Sequence, residues 1–389
     1  MTQSPATPPT LRRDERGMAL ALAIFALVII ATLVAGVFFM ARLEQRSGSN
    51  SLWSIQAAEA AEAGLSETLD GWTGSYNTLA LGASAPLATQ SLPGSANQRY
   101  TAEVQRLSPQ IFLIRSRGER TGGAGVLAGT TVGRVVRLTI PDLDISAALT
   151  ANGPVSVAGS SRVDGQDVDP TNWPACTTKD TVAGVRTSQT LTLVGGNAQV
   201  IGDPNEIEND ATITPAMFTT PYAAFAAMAT PAMTFSSWPV NQRPGPTASG
   251  GTCTYGTLNW GEPWRLPEPG TVPECTGYSP IIHITGNAQL AGAGANVGRG
   301  QGILLVGGDL DLSGNFEFVG IVIVLGEIRT TGTGNKIMGA VLAANAQIGD
   351  VTSMSGNPEV IYSSCSISTV MLQSAVARPL AERSWVQLY

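Results

Sequence analysis

The chain has 389 residues, of which 13% are charged, with 22 Lys+Arg against 29 Asp+Glu and a formal net charge of −7. Bases spread this thinly on an acidic chain leave no electrostatic footprint for a phosphate backbone, so no nucleic acid is expected as a partner. One histidine and four cysteines without a C-x-x-C pair do not make a zinc set at the usual spacings, and no cofactor is expected.

Residues 1–16 are polar, contain Pro5, Pro8 and Pro9, and read as a disordered leader. Residues 18–41 then run for 24 positions without a charge. That exceeds the ~20 residues a helix needs to span a bilayer core. Arg12, Arg13, Asp14, Glu15 and Arg16 close the run on one side, and Arg42, Glu44 and Arg46 on the other. A secretory signal peptide has a shorter apolar core, roughly 7–15 residues, and a small-residue cleavage site after it; neither is found here. Asp14 and Glu15 after Arg12-Arg13 also argue against a twin-arginine signal. The helical pattern continues beyond the charges, with Leu52, Ile55, Leu65, Leu69 and Trp72 at steps of three, four or their sums. One helix over 18–72 is predicted, roughly 80 Å long at 1.5 Å per residue. Gly48 and Gly64 each cost about 1 kcal/mol against Ala and are predicted to mark bends. The alanine run over 57–63 gives a narrow surface for close packing.

Glu15-Arg16-Gly17 followed directly by the apolar helix resembles a class III signal, the type cut by prepilin peptidases. Together with Gln56-Ala57-Ala58-Glu59-Ala60 it makes residues 12–72, less than a fifth of the chain, similar to the N-terminal region of PilX-type minor pilins. The resemblance implies cleavage between Gly17 and Met18 and N-methylation of Met18. It implies assembly through the helix, where Leu22, Gln56, Ala57, Ala58 and Glu59 are the positions of interest. Implied partners are the prepilin peptidase, an inner-membrane assembly platform, membrane lipid before assembly, and major and other minor pilins. The implied location is the bacterial inner membrane as a single-pass protein, then an extracellular filament. Major pilins carry Glu where this chain has Leu22. Losing the carboxylate that pairs with a neighbour's new N-terminus suits a subunit used rarely, as at a filament tip. The resemblance does not separate a type IV pilus from a type II secretion pseudopilus.

Residues 73–98 have no clear period and are read as a loop. Strands are predicted over 100–107, 110–117 and 131–140, with the glycine-rich 121–129 as a hairpin turn. These form a small antiparallel head over 73–144, laid on the outer part of the helix.

From about residue 145 short apolar runs recur between Gly and Asn punctuation, at Val155, Leu191, Ile281, Ile303, Ile321 and Ala340. Asn-Ala-Gln occurs at 197–199, 287–289 and 345–347. Runs starting at Ile303, Ile321, Ala340 and Val360 step by 18, 19 and 20 residues, a solenoid spacing. Residues 281–357 contain no proline, which favours uninterrupted strand stacking. A parallel β-helix or short β-solenoid is predicted over 145–372, so the fold class is α+β followed by all-β. Residues 204–280 interrupt it with 12 of the 24 prolines and with Trp238, Trp260 and Trp264. This excursion is expected to hold one short helix over 215–229 and to offer a surface for an extracellular ligand. Residues 373–389 read as a closing segment. An even cysteine count beyond a membrane favours disulfides, with three connectivities. Cys253 and Cys275 border the same proline-rich segment and are paired first, which leaves Cys176 with Cys365.

Candidate catalytic acids are Asp164, Asp167 and Asp169, and the alternate pair Asp309 and Asp311, since glycoside hydrolysis needs two carboxyl groups across one bond. Turn chemistry and solvated edges explain them more simply. The 164–169 cluster is also a weak Ca²⁺ candidate, but its Gly165 is out of EF-hand order and no Glu closes it. His283, inside Ile281-Ile-His-Ile, reads as a strand residue. Trp260 and Trp264 either stack on sugar rings or cover a local core, and the second is commoner. No Ser-His-Asp set, P-loop or dinucleotide fingerprint occurs, and no enzyme is expected. The competing reading is a singly anchored extracytoplasmic β-helix protein that binds or cleaves polysaccharide.

Overall fold

A computed structural model of the chain describes residues 15–389 apart from 124, 175, 178, 240–241, 293–296, 349–356, 381–384 and 389. Most of the expected leader lies outside the described residues. Helix α1 spans Glu15–Asp70 without interruption, so neither Gly48 nor Gly64 breaks it. Gly48 has open space around it. At Gly64 a Cβ would overlap the Ser116 hydroxyl and the Tyr100 ring. That glycine permits a close approach to the head sheet.

α2 (Gly74–Asn77), β1 (Ser84–Pro86) and β2 (Gln90–Ser91) lie where a loop is predicted. Both strands are short edges paired with β3 (Gln98–Arg106), too short to show a period in sequence. β4 (Ile111–Gly122) and β5 (Gly125–Thr139) complete an antiparallel meander. Ladder pairing runs past a bulge at Arg120/Thr121 to Gly122 opposite Gly125, so most of the predicted turn is strand. Gly125, at φ +117°, supplies the backbone conformation that the tight reversal needs.

The next strands are β6 (Ala147–Ala151), β7 (Val155–Ala158), β8 (Arg162–Asp164), β9 (Ala183–Thr187), β10 (Leu191–Val194), β11 (Gln199–Ile201) and β12 (Glu206–Ile207). α3 (Ala216–Ala226) follows and buries Phe218 and Phe225. Then come β13 (Thr234–Phe235) and a small antiparallel pair, β14 (Ala248–Ser249) with β15 (Thr252–Cys253). The last third carries β16 (Ile281–Ile284), β17 (Ala288–Ala291), β18 (Gly298–Val306), β19 (Leu310–Ser313), β20 (Phe316–Thr331), β21 (Lys336–Ile348) and β22 (Glu359–Tyr362). α4 (Ser364–Ser374), β23 (Val376–Pro379) and β24 (Trp385–Leu388) end the chain.

Fifteen of these strands form one large parallel sheet in the order β11-β8-β22-β21-β20-β18-β16-β13, with the shorter strands branching from it. Ile281, Ile303, Ile321 and Ala340 are successive register partners, at steps of 22, 18 and 19 residues. Stacked in this way they are fully or almost fully buried, which is why both faces of these strands read as apolar. Val360 departs from the predicted ladder, pairing with Ile337 rather than Ala340.

The path through this sheet is not sequential. β6, β7 and β8 pair with β21 and β22, and β9 to β12 continue from there to one end. The chain then crosses to the opposite end at β13 and returns through β16, β18 and β20. Residues 204–280 carry that crossing and contribute β12 and β13 to the sheet.

α4 falls where the run from Val360 was expected to continue as strand. Ser363 caps it, its hydroxyl accepting from the Ser366 amide at 3.2 Å. β23 and β24 leave the parallel sheet and pair antiparallel with β5, making the head sheet seven-stranded. The head therefore takes strands from both sides of the parallel region in sequence.

Candidate functional site

The first half of α1 is bare. Met18 is 68% exposed and Leu22 66%, and apart from half-buried Trp53 the large apolar residues from there to Ile55 are exposed along the helix. The segment Met18–Asp70 contains a window of mean hydropathy 2.9 with none of it buried, long and apolar enough to cross a membrane. An exposed apolar surface of this length marks a membrane or protein contact. Gly17 is within the helix at its start.

The second half packs on the head. Ala57, Ala60, Ala61 and Leu65 are fully buried and Thr68 nearly so, at helical spacing against β3, β4 and β5. Alanine lets the backbones meet. Opposite, a Cβ on Gly118 of β4 would overlap the Ala57 carbonyl oxygen and the Ala61 amide. Ala58 is half-buried and Glu59 exposed, on the side away from the sheet. Gln56 fixes the point where the helix enters the head. Its Oε1 accepts from Arg120 Nε at 2.8 Å and its carbonyl accepts from Gln98 Nε2 at 3.1 Å. Tyr100 donates from its hydroxyl to Glu67. Burial, with that carboxylate, pushes the Tyr100 hydroxyl up to about 12.

At the other end of this interface stands Asn77, fully buried. Its Oδ1 accepts from Trp72 Nε1 at 2.7 Å, while Nδ2 donates to the carbonyls of Leu372 and Ala375 at 2.8 and 2.9 Å. One side chain thus ties the end of α1 to the end of α4. A sequence gives no signal for this, because an Asn in a Ser/Gly-rich stretch reads as a turn residue.

The acidic candidates are occupied structurally. Asp164 is buried, paired with Arg162, and accepts from the Gln166 amide at 2.9 Å. Asp167 accepts from the amide of Ser364 at 2.8 Å, its hydroxyl at 2.6 Å and the Lys179 amide at 2.6 Å, bracing the start of α4. Among the described residues the three carboxylates do not gather around one point. Asp169 lies instead beside Cys176 and Cys365, which are joined in a disulfide and offer no thiolate. A Ca²⁺ site does not fit this arrangement. Asp309 accepts from the Glu327 amide at 2.9 Å, and Asp311 lies 3.8 Å from Arg329. Asn287 accepts from the Asp309 amide at 3.0 Å, so Asn287, Asp309 and the Glu327 amide form a run of side-chain hydrogen bonds across the parallel sheet. His283 Nε2 is 3.1 Å from the Tyr222 hydroxyl, and burial lowers its pKa from the ordinary 6.5.

The tryptophans cover a local core. Trp238 and Trp260 are buried with ring centroids 4.7 Å apart. Trp264 donates to Glu317 Oε2 at 2.7 Å under the Arg299 guanidinium, 4.0 Å from the ring centroid. Glu262, fully buried between them in sequence, holds Arg299 through both oxygens at 2.9 and 2.8 Å. Cys253 and Cys275 form the second disulfide, with Cα atoms 5.0 Å apart, so both pairs are those assigned from the sequence.

No protein-family model, no curated protein and no solved structure matches the chain.

Proposed function

We propose that this chain is a minor pilin-like subunit of a type IV pilus or a related secretion filament, displaying its head and parallel region outside the cell. The observation that carries the reading is α1 itself. Its exposed apolar half continues without a break into an alanine-faced half that lies on an antiparallel sheet. A helix of this kind serves first as a single-pass membrane anchor and then, once extracted, as a filament core packed by its neighbours. In this reading Gly17 and Met18 are the processing site, and Leu22 lies in the segment that neighbouring helices cover. Gln56 and Ala57 hold the head on the helix, Ala58 flanks that contact and Glu59 remains outside it. The partners are a prepilin peptidase, an inner-membrane platform, and major and other minor pilins. The work is structural: priming, capping or surface contact.

In the same proposal the parallel strands wind as a β-helix. The steps of 22, 18 and 19 residues between register partners support this, as does the side-chain ladder from Asn287 to Asp309 to the Glu327 amide.

Intact mass and N-terminal sequencing of the protein from its own cell envelope test the assignment. A chain starting at N-methylated Met18 is the expected result. A chain that keeps Met1 or starts at Thr2 removes the pilin reading and leaves an anchored extracytoplasmic protein.

A further inference from the structure

The acidic character of the chain is unevenly placed. Residues 145–375 hold 17 Asp+Glu against 8 Lys+Arg. The head sheet has the opposite bias on the face turned away from α1. Alternation along the strands puts Arg99, Arg115, Arg117, Arg137 and Arg378 on that face, against only Glu103 and Glu119. Glu119 is shared between Arg99 and Arg117, whose side chains remain 46% and 63% exposed.

Arg137 stands directly opposite Arg378 in the β5–β23 ladder, and both are exposed. Like charges directly opposite on neighbouring strands destabilise a sheet. Among the described residues neither arginine meets a carboxylate; Arg137 Nη2 donates to Gln110 Oε1 at 3.3 Å. Among the described residues this repulsion is uncompensated, and an anionic surface laid on the face would relieve it.

The chain has a complementary surface of its own. At one end of the parallel sheet, the stretch 203–210 contains Asp203, Glu206, Glu208 and Asp210 and no base. The first three are exposed, and among the described residues β12 in their midst pairs with β9 alone, on one edge. Among the described residues, the ion pairs of the two regions stay within each region: Glu119 with its arginines, Asp210 with Arg186. The two surfaces do not neutralise each other within one molecule.

We infer that the outer face of the head sheet docks on the acidic end strand of the parallel sheet of a second copy of this chain. Different surfaces meet in this contact, so it is head-to-tail and repeats into rings or open rows. It holds equally for copies in a filament and for copies anchored side by side in a membrane, and so does not rest on the pilin assignment.

The test is sedimentation velocity of the full chain in neutral detergent at low and high salt. Two charge reversals are compared, Arg137→Glu with Arg378→Glu, and Asp203→Lys with Glu206→Lys. All four side chains are exposed and outside the described ion pairs, so circular dichroism should match wild type. Wild type should self-associate at ~0.05 M salt and dissociate at ~1 M, where the Debye length falls to about 3 Å. Each reversed variant alone should associate at least about tenfold more weakly, because like charges then face each other. Mixing the two variants should restore assembly. A wild type that stays monomeric at low salt overturns the inference. So does association untouched by either reversal, which would come from α1 alone, or a mixture that fails to assemble. If the face serves anionic lipid instead, wild type stays monomeric in neutral detergent. Phosphatidylglycerol nanodiscs, but not phosphatidylcholine ones, then protect Arg137 and Arg378 from phenylglyoxal. That result also overturns it.

Discussion

Replacing Asn77 by Ala should loosen the joint between helix and head more than any change on the exposed helix. The side chain is fully buried and meets Trp72 Nε1 and the Leu372 and Ala375 carbonyls at 2.7, 2.8 and 2.9 Å, with the Gln373 carbonyl farther off at 3.4 Å. The Leu372 carbonyl keeps another donor, the Ala375 amide at 3.3 Å. Trp72 Nε1 and the Ala375 carbonyl lose the only hydrogen bonds described for them. Two orphaned groups at about 1–3 kcal/mol each give a loss of about 3 kcal/mol, roughly a hundredfold in the folding equilibrium. Space at this joint is also tight, since a Cβ on Gly74 would overlap the Gln373 carbonyl oxygen. Asn77→Asp keeps the acceptor for Trp72 but points a carboxylate at two carbonyl oxygens, so it should be no better than Ala. The assay is urea unfolding of the full chain in neutral detergent, followed by tryptophan fluorescence, with hydrogen exchange across 372–376. Both variants should lower the midpoint and speed exchange in that segment. If Asn77→Ala unfolds within about 1 kcal/mol of wild type, Asn77 is not the joint described.

Gly118→Ala should destabilise the head by about 2 kcal/mol or more, because its Cβ would strike Ala57 and Ala61 backbone atoms that cannot turn aside. Gly48→Ala, in open space on the same helix, should stabilise by up to about 1 kcal/mol, and the two melting temperatures should move in opposite directions. Replacing both Cys253 and Cys275 by Ala opens a loop of sequence separation 22 and should cost about 3 kcal/mol, read from the urea midpoint. His283 has a folded pKa below its ordinary 6.5, so the unfolded chain binds the proton more readily. Its contribution to stability is complete above pH 6.5 and is lost as the pH falls through that value toward the folded pKa; His283→Gln should flatten this part of the profile.

Elements with a strong period were legible. The exposed half of α1, the alternating strands β3 to β5 and the apolar runs at Ile303 and Ile321 all lie where the residues placed them. Both disulfides followed from where the cysteines stand around one proline-rich segment. What was not legible depends on partners distant in sequence. Gly64 and Gly118 look like helix and strand defects until what faces them is known, the Ser116 and Tyr100 side chains for the first and the backbone of α1 for the second. Val360 continued a near-constant spacing, yet its strand aligns on Ile337, because the chain between β21 and β22 is longer than the earlier connections. The carboxylates at 164–169 resembled a ligand set only because their neighbours in space, Arg162 and Ser364, include one almost two hundred positions away.

Topology explains how so large an appendage can sit on so small a head. Thr139 and Val376 are register partners, so the chain leaves the head at the end of β5 and returns beside the same residue. Everything between is an insertion held by two neighbouring connections, and Asn77 adds a third link from the helix side. Entering the parallel sheet at β6 to β8, in the middle of its order, makes this closure short. A sheet built sequentially from one end to the other would have its first and last strands farthest apart. Force applied to the parallel region therefore reaches β5 directly through the chain after Thr139 and across its ladder with β23, and β5 packs on the alanine face of α1. The crossing between β12 and β13 is the long connection that lets the chain both start and finish beside the head.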